Sequence, residues 1–140
     1  MTEAAETLSC GIVLVRETGN DVVTLLLRAY HNWDFPKGVT EDGEEPLQTA
    51  CREVTEETSI DELDFRWGDR FMDTGPYNKG KVARYFLAST TQSEVVLGIS
   101  PELGRPEHSE FRWVSFDEAH DISSPRVRDV VRWARQIVGA

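Results

Sequence analysis

Three glutamates in one short stretch have the side-chain types and the spacing needed to bind a divalent metal ion. Glu53 lies three residues before Glu56 and four before Glu57, and residues at these spacings share one face of a helix. Like charges this close destabilise an isolated helix by roughly 0.2–0.5 kcal/mol per pair. A hard cation such as Mg²⁺ would offset the repulsion, because it prefers oxygen ligands. A solvated acidic face, neutralised by Arg52 and water, is the alternative interpretation.

Residues 46–58 are predicted to form the helix that carries these glutamates. Proline suits the first turn of a helix, and the acidic Glu44 and Glu45 suit the positive end of the helix dipole. Five side chains at helical spacing fall on one arc that would face the core. They are Leu47, Ala50, Cys51, Val54 and Thr58. The three glutamates fall on the neighbouring arc, with Arg52 at its outer edge.

The stretch 38–60 as a whole resembles the Nudix box. The residues that carry the resemblance, at the spacing of the box, are Gly38, Glu44, Arg52, Glu53, Val54, Glu56, Glu57, Ser59 and Ile60. Ser59 is the one departure, because the family usually has glycine at this position. Glycine suits the left-handed residue that follows a helix, so serine is expected to strain or alter the turn, at roughly 1 kcal/mol.

This resemblance implies a fold, a cofactor and a set of roles. The fold would be α/β, a Nudix-type α/β/α sandwich with a central mixed β-sheet. Glu53, Glu56 and Glu57 would hold Mg²⁺ or Mn²⁺ against a pyrophosphate, and such a metal lowers the pKa of bound water. Arg52 would hold a glutamate in place, and Glu44 would support the loop, or support the metal without binding it directly. Glu57 and Arg52 are candidate catalytic residues.

One further acidic ligand or base is expected from outside the box. The candidates are Glu102, Glu107 and Glu110. Glu107 is favoured as metal ligand and catalytic residue, because 107–114 (EHSEFRWV) is similar to a stretch of the diadenosine tetraphosphate hydrolase branch. In that branch the glutamate before the histidine faces the metal site. An ordinary solvated loop glutamate is the alternative.

The segment before the box resembles the same branch. Residues 33–38 (WDFPKG) are similar to its entry segment, whereas RNA 5′-pyrophosphohydrolases usually have glutamine where Lys37 stands. Lys37 and Gly38 are therefore predicted to contact the substrate. The chain has only two other lysines, Lys79 and Lys81, and lysine is a compact charge suited to phosphate oxygens. Solubilising surface charge is the alternative interpretation of this second pair.

Two ring side chains complete the predicted substrate site. Tyr77 precedes the lysine pair and could stack on a nucleobase, an interaction worth roughly 1–3 kcal/mol per base. A tyrosine that caps the core at a turn is the alternative. His31 could serve in the same way as Tyr77. Trp33 and Trp113 are expected to pack in the core rather than to touch a ligand.

Composition limits the class of protein and its partners. A chain of 140 residues with a formal net charge of −10 fits one domain over 1–140, and the charge argues against stable binding of nucleic acid or an anionic membrane. The polar segment 1–7 is predicted to be a flexible N-terminus rather than a signal peptide. No apolar run approaches the ~20 residues of a membrane span. A soluble, cytoplasmic protein without a disulfide framework, either a monomer or a small homo-oligomer, is expected.

The remaining elements must position these side chains. Apolar, β-branched runs predict strands at 8–16, 22–28, 81–89 and 111–114. Weaker strand patterns cover 63–72 and 95–97, whereas 29–37 and the rest of 90–110 are predicted loops and 73–76 a turn. Helices are predicted to begin at 115–118, which has a capping-box pattern, and at 124–125, with apolar spacing that continues to 138. This order predicts a mixed sheet with helices on both faces.

The predicted function is hydrolysis of a phosphoanhydride bond in a nucleoside polyphosphate by a metal-activated water. By resemblance, the substrate is diadenosine tetraphosphate and the products are ATP and AMP. RNA 5′-pyrophosphohydrolase, a broad nucleotide or diphosphoinositol polyphosphate pyrophosphatase, and a nucleotide-sensing module without turnover remain open as alternatives.

Overall fold

The computed structural model describes residues 7–140. Of the predicted flexible segment 1–7, residues 1–6 lie outside the described residues, and the first strand already begins at Thr7. The strands are β1 Thr7–Thr18, β2 Asp21–Ala29, β3 Asn32–Asp34, β4 Lys37–Val39, β5 Phe71–Tyr77, β6 Lys81–Ser89, β7 Ile99–Ser100, β8 Arg105–Pro106 and β9 Glu110–Ser115. The helices are α1 Pro46–Thr58, α2 Phe116–Ile122 and α3 Pro125–Val138.

A mixed sheet forms the centre of the fold. Its strand order is β3-β2-β1-β6-β5, with β4 also paired to β1 and β9 also paired to β2. β1 and β2 form an antiparallel hairpin, whereas β1 and β6 run parallel. Because β1 is paired on both sides and buried on both faces, it is a nearly continuous apolar run.

Alternate residues of β1 face two separate cores, as the two-residue period of a strand requires. Val13 packs in the core that α2 and α3 cover, together with Val130 of α3. Its neighbour Ile12 packs in the other core, with Val54 of α1. The prediction of an α/β/α sandwich is therefore confirmed, with α1 on one face and α2 and α3 on the other.

The predicted turn at 73–76 is wrong, because β5 runs through it. Its pairing with β6 shifts in register between Thr74 and Tyr77, and β5 is the last strand of the order, where proline is tolerated since a ladder bond is not needed on the open side. The strand pattern at 63–72 is also mostly wrong. Before Phe71 it yields only an isolated bridge between Asp64 and Ser89.

Two predicted loops contain short strands. Residues 29–37 include β3 and the start of β4, and β7 pairs with β8 within 90–110. The short strand predicted at 95–97 is wrong. The backbone there bonds to the end of α1 instead, since the N–H of Val96 donates to the carbonyl of Thr58 at 3.0 Å.

The helix predictions are confirmed in position. α1 spans the predicted 46–58. α2 is capped by Ser115, whose hydroxyl accepts a hydrogen bond from the N–H of Glu118 at 3.1 Å. α3 begins at Pro125, although Ser124 makes no side-chain capping bond. None of the helices within residues 7–140 has the length and apolar character to cross a membrane.

Candidate active site

Gly38 allows the box helix to lie against the sheet. It sits in β4, opposite Cys10 of β1, and a Cβ added there would overlap the carboxylate of Glu53. Glycine at this position therefore lets the Glu53 side chain lie directly on the β4 backbone. That side chain is 15% exposed, and burial raises its pKa. Glu56, on the outer side of the helix, is 53% exposed.

Glu57 points inward, at the end of the same helix. Its Oε1 accepts a hydrogen bond from the backbone N–H of Lys37 at 3.2 Å. Burial, followed by the negative charges of Glu53 and Glu107, raises the pKa of Glu57 to about 9, and the Lys37 contacts only partly oppose this. Negative charge in this part of the site is therefore incompletely balanced by the protein itself, as in a site built for a cation.

Arg52 holds the outer glutamates in one network. Its Nε donates to Glu44 at 2.6 Å and its terminal nitrogen donates to the same carboxylate at 3.0 Å. The other terminal nitrogen donates to Glu56 at 2.9 Å and to Glu53 at 3.3 Å. The Arg52 bonds, with a bond from the Thr49 hydroxyl, lower the pKa of Glu44 to about 2. Glu44 is thus an anchor behind the site, and Arg52 connects that anchor to two candidate metal ligands.

The loop before β9 brings two more side chains to Glu57. One ligand atom each from Glu57, Glu107 and His108 lies within 4.8 Å of the others. Burial lowers the pKa of His108, against the charge of Glu107. Of the other two candidate acids, Glu102 lies on the wall of the same cavity. Glu110 turns away and pairs with Arg28 at 3.2 Å.

These groups line a cavity of about 470 Å³, which we call the acidic cavity. Its lining includes Glu53, Glu56, Glu57, Glu107 and His108. Carboxylate oxygens are the ligands that Mg²⁺ and Mn²⁺ accept, and an imidazole nitrogen adds a ligand that suits Mn²⁺. The donor set therefore fits a divalent cation, which would offset the cost of ionising the Glu57 carboxyl that its raised pKa reflects.

Lys37 donates its backbone N–H to Glu57 but is not among the residues that line the acidic cavity, and its side chain joins a polar network that the sequence did not reveal. Its Nζ lies 3.8 Å from an Asp34 oxygen. The same oxygen accepts a hydrogen bond from Arg126 at 2.9 Å, and the other Asp34 oxygen accepts one from the Tyr85 hydroxyl at 2.8 Å. Asp34 lies next to Trp33 in the segment 33–38, but no pattern in the sequence linked Asp34 to Arg126, which is 92 residues away.

The other predicted substrate residues lie elsewhere. Tyr77, Lys79 and Lys81 lie on or beside the turn between β5 and β6, and they are not among the residues that line the acidic cavity. One face of the Tyr77 ring is covered, because the guanidinium carbon of Arg126 lies 4.0 Å from its centroid. His31 is exposed in the turn between β2 and β3. The structure therefore does not bring these four side chains together with the glutamates.

A second cavity adjoins the acidic cavity and was missed from the sequence. Its volume is about 600 Å³, and we call it the apolar cavity. It shares Leu97, Glu107 and His108 with the acidic cavity and adds Tyr30, Leu103 and Pro106. Tyr30 is 84% exposed and Leu103 is 49% exposed. Large apolar side chains inside predicted loops were the signal that could have identified this cavity.

Comparison with known proteins identifies a family and two kinds of relative. A family profile described as NUDIX domain matches residues 6–134. The asymmetrical bis(5′-nucleosyl)-tetraphosphatase of Sus scrofa is 33% identical over 127 residues, which cover 82% of this chain and 83% of the relative. An RNA pyrophosphohydrolase of Aeromonas hydrophila is 31% identical over 144 residues, which cover 91% of this chain and 76% of the relative.

Solved structures match in fold. A binary complex of the C. elegans Ap4A hydrolase superimposes with a TM-score of 0.76, over 96% of this chain and 99% of that chain. A MutT protein from Methanosarcina mazei superimposes with a TM-score of 0.75 over the whole of both chains. Their sequences are 24% and 22% identical to this one, so this likeness concerns the fold.

Proposed function

The chain belongs to the Nudix family, and we propose that it is a divalent-metal-dependent hydrolase of nucleoside polyphosphates, with diadenosine tetraphosphate as its substrate and ATP and AMP as its products. The observation that carries this proposal is the convergence of Glu57, Glu107 and His108 within 4.8 Å beside the box glutamates. The tetraphosphatase of Sus scrofa, at 33% identity, supports the choice of substrate.

Glu53, Glu56, Glu57 and Glu107 are the residues that would hold the metal ion. When bound, Mg²⁺ or Mn²⁺ neutralises phosphate charge and acidifies water. The protein supplies position and proton transfer. Glu107 is exposed beside the half-buried Glu57, so it can accept the proton of the attacking water as the bond to the leaving phosphate oxygen breaks.

Cationic and apolar groups around the glutamates would orient the substrate. Lys37 donates its backbone N–H to Glu57, and its positive charge acts on the same carboxyl, so its side chain could reach a phosphate oxygen bound there. Phosphoryl transfer depends mainly on this kind of positioning and charge stabilisation. The apolar cavity begins at Glu107 and His108, so a nucleoside attached to phosphates in the acidic cavity could place its base beside Tyr30.

A substrate panel with product identification tests the proposal. The purified chain is incubated with Mg²⁺ or Mn²⁺ and, separately, with diadenosine tetraphosphate, 5′-triphosphate RNA and a diphosphoinositol polyphosphate. Release of equimolar ATP and AMP, lost in EDTA, is the expected result. The substrate assignment would be overturned if the RNA or the diphosphoinositol polyphosphate were cleaved rapidly while diadenosine tetraphosphate was not cleaved. Nucleotide binding without any product would indicate a sensing module instead.

RNA 5′-pyrophosphohydrolase is the second candidate, because the Aeromonas hydrophila relative is 31% identical over 91% of this chain. The net charge of −10 opposes long RNA, since affinity for nucleic acid depends on neutralising many phosphates. The RNA arm of the panel separates the two candidates, because it would release pyrophosphate from the 5′ end of the RNA.

A further inference from the structure

His108 is the one nitrogen donor in the ligand cluster that Glu57 and Glu107 complete. It lies between the acidic cavity and the apolar cavity and contributes to the walls of both. In the sequence, this histidine is only part of the pattern that identifies Glu107. Its position beside two carboxylates gives it a chemistry of its own.

The backbone around His108 is fixed by the sheet. The N–H of Ser109 donates to the carbonyl of Arg28 at 2.9 Å, which joins this segment to the end of β2. The Ser109 hydroxyl reaches the same carbonyl at 3.4 Å. These bonds therefore hold the backbone of His108 beside the cluster, and they involve neither Glu57 nor Glu107.

The His108 ring is available for a ligand. Across residues 7–140, the hydrogen bonds found in the structure include none made by this ring. His120, by contrast, contacts a terminal nitrogen of Arg132 at 2.9 Å. A half-buried imidazole without such a partner, next to two carboxylates, has the surroundings of a metal ligand.

We propose that His108 binds the divalent ion directly through a ring nitrogen, with Glu57 and Glu107 as oxygen ligands. The mixed set would favour Mn²⁺ or Co²⁺ over Mg²⁺, because imidazole suits first-row transition metals whereas Mg²⁺ prefers oxygen. The inference rests on the metal dependence in the proposed function, but it is independent of the substrate. It makes the metal preference a property of the loop before β9 and not of the box alone.

Pulsed electron paramagnetic resonance of bound Mn²⁺ tests this directly. The full chain is loaded with Mn²⁺ alone, without substrate, and electron spin echo modulation from ¹⁴N is recorded. We expect nitrogen modulation in the wild type and its loss in His108→Gln. The matched control is His120→Gln, which should keep the modulation, since His120 lies on α2 and is not part of the cluster.

Calorimetric titration provides a second readout. His108→Gln should lower the affinity for Mn²⁺ by at least about tenfold. Loss of a residue that only hydrogen-bonds to a metal ligand already lowers metal affinity by roughly 10–100-fold. Its affinity for Mg²⁺ should fall less, so the ratio of the two affinities decreases. Nitrogen modulation that persists in His108→Gln, or an unchanged ratio, would overturn the proposal.

Isotope labelling, and a comparison of nitrogen coordination with hydrolysis, distinguish the remaining outcomes. If His108→Gln does not fold, wild-type protein with ¹⁵N-labelled histidine replaces it, because a coordinated imidazole then shows ¹⁵N in place of ¹⁴N coupling. Modulation that still shows only ¹⁴N coupling in the labelled protein would refute histidine coordination. Nitrogen coordination without hydrolysis would sink the proposed function alone, whereas hydrolysis without nitrogen coordination would sink the role of His108 alone.

Discussion

The hydroxyl of Ser59 donates a hydrogen bond to the carbonyl oxygen of Val96, with 3.0 Å between the two oxygens. Ser59 takes the left-handed conformation expected for glycine, with φ at 67°, and its N–H closes the helix on the carbonyl of Thr55 at 2.9 Å. Ser59 therefore bears the strain of the left-handed backbone, but it also makes a side-chain hydrogen bond that glycine could not make.

This bond belongs to a set that joins segment 96–98 to the end of α1. The N–H of Gly98 donates to the carbonyl of Glu57 at 3.3 Å, and a Cβ on Gly98 would overlap the carbonyl of Glu56. Leu97, between these contacts, borders both the acidic cavity and the apolar cavity. Ser59 therefore helps to hold the wall that the two cavities share.

Ser59→Ala should destabilise the fold by about 1 kcal/mol, because it keeps the left-handed backbone and loses the hydrogen bond. Ser59→Gly should be close to neutral, since it loses the same bond but relieves roughly 1 kcal/mol of strain. In both variants the amides of Val96 and Gly98 should exchange hydrogen faster. Urea unfolding and hydrogen exchange measure these effects, and unchanged exchange in Ser59→Ala would contradict the role given to the hydroxyl.

Gly38→Ala should impair the proposed metal site while the sheet remains folded. The added Cβ would displace the Glu53 carboxylate, so we expect Mn²⁺ affinity to fall by roughly 10-fold or more, as for other changes beside metal ligands. Val39→Ala is the matched control, because Val39 is next in the same strand and 55% exposed. Calorimetric titration of Mn²⁺ compares the two variants, and equal affinities would argue against this use of glycine.

Arg52→Lys should lower turnover although it keeps the charge. Lysine cannot reproduce the paired bonds to Glu44 or span from Glu44 to Glu56, so a loss of roughly 10–100-fold is expected. The pKa of Glu44 should rise from about 2 toward its ordinary value, which NMR titration can follow. Arg66→Lys, in a surface pair with Glu17, is the control and should change neither quantity.

The box could be predicted well because its information is local. Helix spacing, proline at the helix start and the acidic arc all lie within 46–58, so α1 and its glutamate face follow from the chain itself. The alternating burial of β1 is likewise encoded in a continuous apolar run. Ser59 was identified as unusual, but its compensating bond to Val96 spans 37 residues.

The missed features depend on contacts between distant segments. Nothing near Asp34 in the sequence indicates that Arg126 of α3 reaches it across 92 residues. Tyr77 was selected because it neighbours two lysines, but β5 continues to it as an edge strand and Arg126 covers one face of its ring. The apolar cavity is assembled from 29–30, 97, 103 and 105–109, a set with no common period in the sequence.

Tyr30→Ala should weaken nucleotide binding, because the exposed ring of Tyr30 lines the apolar cavity beside Glu107. Loss of base stacking is worth roughly 1–3 kcal/mol, so KM for a dinucleoside polyphosphate should rise by about tenfold or more with kcat little changed. Tyr30→Phe keeps the ring and should behave as the wild type. Steady-state kinetics of the two variants decide the point, and an unaffected KM in Tyr30→Ala would exclude base binding in this cavity.

Glu57 should make the stability of the metal-free protein depend on pH in a direction opposite to that of an ion-paired carboxylate. Its pKa is about 9 in the folded chain, against an ordinary value of 4.5. Between these values the unfolded chain has released a proton that the folded chain retains, so the contribution of Glu57 is full below pH 4.5 and is lost as the pH rises toward 9. Because Mn²⁺ requires the deprotonated carboxylate, the stabilisation by Mn²⁺ should instead increase over the same range.

Glu57→Gln isolates this contribution. Urea unfolding in EDTA at pH 5, 7 and 9 should show wild-type stability falling relative to Glu57→Gln as the pH rises, since glutamine carries no proton to lose. With Mn²⁺ present the trend should reverse, because the wild type gains more stability from the ion than Glu57→Gln does. Glu17→Gln, which changes an exposed carboxylate, provides the control for a general effect of charge. A wild-type stability in EDTA that rises with pH relative to Glu57→Gln would show that the Glu57 carboxyl is already ionised, and its charge balanced, in the metal-free fold.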